Sequence, residues 1–268
     1  MKIVTRANEL PHHGALVPTM GALHAGHAAL IEQARNISEN VIVSVFINPL
    51  QFESSEDLEL YPSTPEVDAK IAKDAGATTL WLAQSQEIYP GPLEKLTAGK
   101  VGELYEGAHR FGHFGGVLTV VKRLFEITKP RCAVFGEKDF QQLFLIKKMV
   151  EELHLAVEIH SVETVRTLEG LALSSRNIRL GKEFEDAATI ISQALFEASR
   201  AATLTEAEQA LRRTLATEPK FAIDYAEIID AATFDLANSQ TRDKRAIVAG
   251  WINGVRLIDN MTMTGLAG

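Results

Sequence analysis

The chain has 268 residues, 46% hydrophobic and 23% charged, with a net charge of −8 and one cysteine, Cys132. A chain of that length forms one large domain or two smaller ones and buries about three quarters of its unfolded surface without covalent staples. The composition excludes an internal disulfide, an overall basic face for nucleic acid and an apolar run of membrane-spanning length, and it predicts a cytoplasmic protein without a secretory leader.

Met1–Thr5 is predicted to be a short strand or extended arm. Leu16 begins an apolar strand that breaks at Gly21 and opens a helix through Leu30, Ile31, Ala34 and Ile37. A strand feeding a helix N-terminus leaves backbone N–H groups unpaired at the positive end of a helix dipole, a site for an anion and most often a phosphate. His24 and His27 fall three apart on the first turn, so both can face that anion, and Gly21 and Gly26 allow backbone and ligand to approach closely. Ordinary surface residues or half of a metal site are the competing readings of the pair; for zinc the chain has no His-Glu-x-x-His run and only one cysteine to complete a site.

Val41–Phe46 is a β-branched run of buried-strand type. Asn48-Pro49-Leu50-Gln51-Phe52 follows at its C-terminal end, where open parallel α/β sheets bind ligands, so Gln51 is either a substrate contact or an ordinary loop amide. Glu53–Tyr61 is acidic and loop-like. Pro62 and Pro65 lead into a helix through Val67, Ile71 and Ala75, closed by Gly76, with Asp68 expected on a solvated helix start. Leu80-Trp81-Leu82 is the next strand and Glu87–Lys100 a turn-rich loop. Small residues around Arg110 and His113 suggest a flexible backbone held close to a ligand. Val117, Val120, Val121, Leu124 and Phe125 then keep helical spacing up to Lys129-Pro130. Cys132–Phe135 is a strand, and Gly136-Glu137-Lys138-Asp139-Phe140-Gln141-Gln142 repeats the strand–glycine–helix layout of the first motif. There Lys138 can meet phosphate oxygens as a point charge and Asp139 can accept from ribose hydroxyls.

Val157–Val162 is another strand, and Thr164–Leu168 leads to Ser174-Ser175-Arg176-Asn177, whose hydroxyls and guanidinium suit a triphosphate. The pattern then changes. A helix through Phe184, Ala187, Ile191, Leu195 and Ala198 precedes a capping box, Thr205-x-x-Glu208, for a helix to about Ala216. A strand at Ile223–Ile229 and two more flanking Asn253-Gly254 complete an antiparallel unit. The predicted fold class is α/β: a parallel sheet flanked by helices over residues 1–165, with a smaller α+β domain over 166–268.

Pro18-Thr19-Met20-Gly21-Ala22-Leu23-His24-Ala25-Gly26-His27, Asn48-Pro49-Leu50-Gln51-Phe52, the Gly136–Gln142 string and Ser174-Ser175-Arg176, in this order, resemble the pantothenate synthetase (pantoate–β-alanine ligase) family of the nucleotidyl-transferase superfamily. Arg256–Asn260 also looks like that family's C-terminus. The resemblance implies a Rossmann-like nucleotide- and pantoate-binding domain, a lid-like C-terminal domain and a homodimer. It implies ATP bound by Met20, Gly21, Ala22, Leu23, His24, Gly26, His27, Gly136, Lys138, Asp139, Val165, Leu173, Ser174, Ser175 and Arg176. Pantoate and β-alanine would meet Gln51 and Gln142, His27 would act as proton donor, and His24, Lys138 and Arg176 would share the catalytic work. Mg²⁺ would travel with ATP, with Asp68 the carboxylate implied near it. This sequence departs from the family at Ser63, where an arginine is usual, at Phe111, where a proline is usual, and in the ten residues Arg6–Ala15, where a helix is usual.

The implied reaction condenses (R)-pantoate with β-alanine through a pantoyl-adenylate, releasing pyrophosphate and AMP. Its barrier is mainly charge and geometry, which calls for cationic and N–H donors plus positioning amides. Two other readings compete: another nucleotidyl transferase of the same superfamily, whose product retains AMP, and a nucleotide-sensing module without catalysis.

Overall fold

A computed structural model describes residues 1–52 and 58–265. The first part of the acidic loop expected at 53–61 therefore lies outside the described residues. The chain divides into two compact units, Met1–Glu163 and Thr164–Gly268.

Unit 1 is a parallel sheet of six strands: β1 (Lys2–Val4), β2 (Ala15–Thr19), β3 (Val41–Val45), β4 (Thr79–Leu82), β5 (Cys132–Gly136) and β6 (Glu158–Val162). Their spatial order is β1-β4-β3-β2-β5-β6. Its longer helices among the described residues are α1 (Ala25–Ile37), α2 (Pro65–Asp74), α3 (His113–Thr128) and α4 (Phe140–Glu152). Residues of β2, β3 and β5 are buried whichever side they face, which is why these strands are near-continuous apolar runs. One apolar cluster joins Leu16, Ile42, Trp81 and Ala133 to Val117, Val121, Leu124 and Phe125 of α3 and Leu143 and Ile146 of α4. A second joins Val17, Val43, Leu80 and Val134 to Ile31 and Ala34 of α1. The segment Arg6–Ala15 holds a single 3-10 turn, Ala7–Glu9.

Unit 2 carries α5 (Lys182–Ala188), α6 (Ile190–Ser199) and α7 (Leu204–Leu215) against an antiparallel sheet of β7 (Ala222–Asp230), β8 (Lys244–Ile252) and β9 (Val255–Thr262). Two sequence expectations shift. The helix predicted through Phe184 and Ala198 is two helices that meet at Thr189. The capping box of α7 is Thr203 with Glu206, two residues before the pair expected: Thr203 Oγ1 accepts from Glu206 N at 3.2 Å, and the Glu206 carboxylate accepts from Thr203 N at 3.2 Å. The earlier start puts Ala207, Ala210, Leu211 and Leu215 on the buried face.

Candidate functional site

The strand order reverses between β2 and β5. Connections run outward from β2 through β3 to β4, then return to β5 on the other side of β2. β2 and β5 pair only at Ala15–Cys132 and Leu16–Ala133, whereas β2 pairs with β3 along its whole length. Pro18, which has no N–H to give a ladder, sits just beyond the last pair with β5. Such a reversal point, at the carboxyl ends of the strands, is where open α/β sheets bind ligands. Both strand–glycine–helix motifs lie there, one after β2 and one after β5.

The loop after β2 is built to expose a helix start. Gly21 has φ +89°, and a Cβ there would lie 3.1 Å from Asp68 Oδ2 and 3.2 Å from Val45 Cγ1, so both conformation and space call for glycine. Asp68 holds the next two residues. Its Oδ2 accepts from Ala22 N at 3.1 Å, while Oδ1 accepts from Leu23 N at 2.8 Å and from Thr64 Oγ1 at 2.9 Å. It is 1% exposed, so the solvated helix start expected at this position is replaced by a buried clamp.

His24 and His27 cap α1 reciprocally. Gly26 N donates to His24 Nδ1 at 3.1 Å, and His24 N donates to His27 Nδ1 at 3.3 Å. A backbone N–H can only donate, so each Nδ1 is an acceptor and each ring carries its proton on Nε2. The ring centroids are 4.2 Å apart. Burial, Lys138 and the proximity of the rings favour the neutral forms. The His24 pKa is lowered mainly by burial and then by Lys138, against an opposing pull from Asp139. The His27 pKa falls to about 3, first through burial, then through His24, with Asp139 opposing and Lys138 reinforcing. Two Nε2–H donors and a helix N-terminus therefore stand beside the Lys138 ammonium, which lies 3.9 Å from Asp139 Oδ1. An anion placed there meets donors without displacing a proton.

Gln51 ends the turn after β3 and is buried. Its Oε1 accepts from Asn48 Nδ2 at 3.1 Å, and its Nε2 lies 3.0 Å from Met20 Sδ, a weak acceptor. Its backbone oxygen accepts from His113 Nδ1 at 2.9 Å and from Arg110 Nη2 at 3.4 Å, and Arg110 Nη1 reaches His113 Nε2 at 3.0 Å. The stretch expected to be a flexible glycine loop is thus partly ordered helix: His113 opens α3, is 6% exposed, and pins the turn that carries Gln51. Phe111, at the departure from the family pattern, projects into solvent at 96% exposure.

After β5, a 3-10 turn carries Lys138, and α4 then begins at Phe140. The two glutamines divide their labour. Gln141 is buried and stitches the preceding loop: its Oε1 accepts from Glu106 N at 3.1 Å, and its Nε2 donates to Val101 O at 2.7 Å and Leu104 O at 2.8 Å. Gln142 is half-buried, one helical step round. Sequence reasoning missed the roles of Gln141, Asn48 and Asp68.

Unit 2 holds the remaining candidates. Leu173 N donates to Val165 O at 2.9 Å, closing a short hairpin that leads to Ser174. Ser174 Oγ accepts from Arg176 N at 3.2 Å, starting the 3-10 turn Ser175–Arg179. Arg166 anchors the hairpin with both guanidinium nitrogens on the buried Asp259 carboxylate. The string Arg256–Asn260 noted in the sequence is thus partly scaffold for the Ser-Ser-Arg loop.

The model of the family "Pantoate-beta-alanine ligase" matches residues 2–262. This chain belongs to the pantoate–β-alanine ligase family. A curated pantothenate synthetase from Rhizorhabdus wittichii is 44% identical over 254 residues, covering 93% of this chain and 90% of that protein. The crystal structure of pantothenate synthetase from Thermus thermophilus superposes with a TM-score of 0.93 at 40% identity, covering 98% of this chain and 99% of that one. A pantoate–β-alanine ligase from Francisella tularensis, complexed with "Beta-gamma ATP and Beta-alanine", matches at 33% identity and a TM-score of 0.80 over 98% of each chain. Both motif loops of this pantoate–β-alanine ligase lie within the residues that the family model matches. Asp68, the carboxylate expected near Mg²⁺, accepts three donors through its two oxygens and holds the loop with them; one of the roughly four acceptor positions of a carboxylate is left over, on Oδ2. Among the described residues no three His, Cys, Asp or Glu side chains gather as a metal site, and no helix is long and apolar enough to cross a membrane.

Proposed function

We propose that this chain joins (R)-pantoate to β-alanine at the expense of ATP, in pantothenate and hence coenzyme A biosynthesis in the cytoplasm. The observation that carries the reading is the pair of strand–helix loops at the β2/β5 reversal, which puts His24, His27 and Lys138 round one helix N-terminus. In the first step a pantoate carboxylate oxygen attacks the α-phosphorus of ATP, the bond to pyrophosphate breaks, and pantoyl-adenylate forms. The Nε2–H groups of His24 and His27, the α1 backbone N–H groups and Lys138 stabilise charge gathering on the departing pyrophosphate, with the neutral His27 donating a hydrogen bond from Nε2–H. Such preorganised donors act where charge develops and need no reorganisation. Met20, Gly21, Ala22, Leu23 and Gly26 form the wall along the nucleotide, Gly136 and Asp139 hold the ribose, and Gln51 and Gln142 hold pantoate with its carboxylate aimed at phosphorus. In the second step the β-alanine amine attacks the acyl carbon, the bond to AMP breaks, and the amine loses a proton.

Val165, Leu173, Ser174, Ser175 and Arg176 of unit 2 are nucleotide contacts in this reading because hydroxyls beside a guanidinium suit a triphosphate. Mg²⁺ would come with ATP and would supply charge neutralisation, with Asp68 the carboxylate that would stand near it. A homodimer belongs to the same proposal and is tested by sedimentation.

The deciding experiment is mass spectrometry of products after incubation with Mg-ATP, pantoate and β-alanine, each also omitted in turn. AMP and pantothenate appearing together only in the complete mixture support the ligase. An AMP-containing product that persists with β-alanine present would mark a nucleotidyl transferase instead.

A further inference from the structure

Gln51 can face substrate with either end of its amide, and hydrogen-bond polarity decides which. Gly116 O is a pure acceptor and receives Asn48 Nδ2 at 3.1 Å; Leu50 N is a pure donor and gives to Asn48 Oδ1 at 3.3 Å. Those two backbone groups fix the Asn48 amide one way round. Its Nδ2 can then only donate to Gln51, so Gln51 Oε1 turns toward Asn48 and Nε2 toward Met20. The Gly116 contact depends on close approach, because a Cβ there would lie 2.2 Å from Leu50 O.

One member of this chain lies outside every motif of the sequence. The Tyr89 hydroxyl is 2.8 Å from Asn48 Oδ1, which accepts only, so the phenol donates. Burial raises the Tyr89 pKa, with Arg123 opposing, which keeps the phenol protonated at neutral pH. Its ring packs edge-on against Phe46 at 5.9 Å, so the hydroxyl is held in place. Without it, the Asn48 oxygen keeps only the long bond from Leu50 N, and the carboxamide is freer to twist.

We infer that Tyr89 is a positioning residue: through Asn48 it holds the Gln51 amide with its N–H₂ toward the substrate, selecting an acceptor oxygen on pantoate. Met20 sulfur is a weak stand-in partner for that donor, which a carboxylate or hydroxyl oxygen improves on. The inference rests on the proposed contact between Gln51 and pantoate.

The test is a double-mutant cycle on KM for pantoate with Tyr89→Phe and Gln51→Ala. Tyr89→Phe keeps the ring packing and removes one neutral hydrogen bond, so KM for pantoate rises about fivefold, with KM for ATP unchanged and the thermal midpoint lowered by only about 2–4 °C. In the Gln51→Ala background, Tyr89→Phe produces no further rise. If Tyr89→Phe raises KM for pantoate equally in both backgrounds, raises both KM values alike, or changes neither, the relay is overturned. If Gln51→Ala alone leaves KM for pantoate unchanged, the pantoate contact itself is wrong and the relay falls with it.

Discussion

Replacing Asp68 by Asn separates two accounts of this carboxylate. In the structure it accepts from Ala22 N, Leu23 N and Thr64 Oγ1. The least costly arrangement for Asn puts the amide oxygen in the place of Oδ1, keeping Leu23 and Thr64. The NH₂ then faces Ala22 N, a donor against a donor, and one buried N–H is orphaned at about 1–3 kcal/mol. The two surviving bonds lose charge assistance, at roughly 1 kcal/mol each. Relief from burying a charge offsets part of this, leaving about 3 kcal/mol, a sizeable fraction of ordinary domain stability. With a urea m-value of about 3 kcal/mol/M, the midpoint falls by about 1 M. Tryptophan fluorescence follows unit 1 well, because Trp81 is fully buried there while Trp251 in unit 2 is 45% exposed. The assay is run in EDTA without nucleotide, where a magnesium ligand has nothing to lose. KM for ATP rises as well, since the loop presents the helix N-terminus. An unchanged midpoint together with a raised magnesium requirement would refute the clamp in favour of the metal role.

Four further outcomes are expected. His27→Ala lowers the rate of adenylate formation about 10²–10³-fold in single-turnover assays, with an unchanged circular dichroism spectrum. The wild-type His27 pKa of about 3 lies below the unfolded value of 6.5. The unfolded chain therefore takes up a proton first as pH falls, and stability present above pH 6.5 is lost toward pH 3, at up to about 1.4 kcal/mol per pH unit; denaturation of His27→Asn between pH 6.5 and 4.5 shows a correspondingly shallower loss. Gly116→Ala forces α3 away from the Leu50 carbonyl, costs about 1–3 kcal/mol of stability by thermal unfolding and raises KM for pantoate. Asp259→Ala leaves Arg166 only its bonds to the Gly170 and Asn260 carbonyls and costs about 3 kcal/mol, whereas replacing both partners by apolar residues of similar volume is nearly neutral, as compared by calorimetry.

Local signals carried much of this architecture. A β-branched run marked β3, 3.6-residue spacing marked α3, and Asn253-Gly254 marked the β8–β9 turn, where both residues have positive φ. The motif strings located both loops of the β2/β5 reversal. What the sequence hid depends on distance or on near-equal choices. Asp68 meets Ala22 across 46 positions, and no local pattern announces that contact. Gln141 and Gln142 are identical in type, and only the helix phase assigns one to scaffold and leaves the other half-buried. Thr203 and Thr205 each precede a glutamate by three, and tertiary burial of Ala207 and Leu211 selects the first. The glycines around His113 suggested mobility, whereas Gly115 and Gly116 lie within α3, where small size permits contact with Leu96 and Leu50.

The reciprocal caps of α1 bear on how such a site persists. Active-site residues commonly cost a protein stability, so sequences can drift toward sturdier but inactive variants. In this chain the two imidazoles proposed to meet ATP also close the backbone of the helix that bears them, a function worth about 1 kcal/mol for a typical cap. Losing either histidine weakens the fold along with the chemistry. Selection for stability alone would thus tend to retain both rings, and attempts to stabilise the chain by consensus or surface redesign should leave this first helical turn intact.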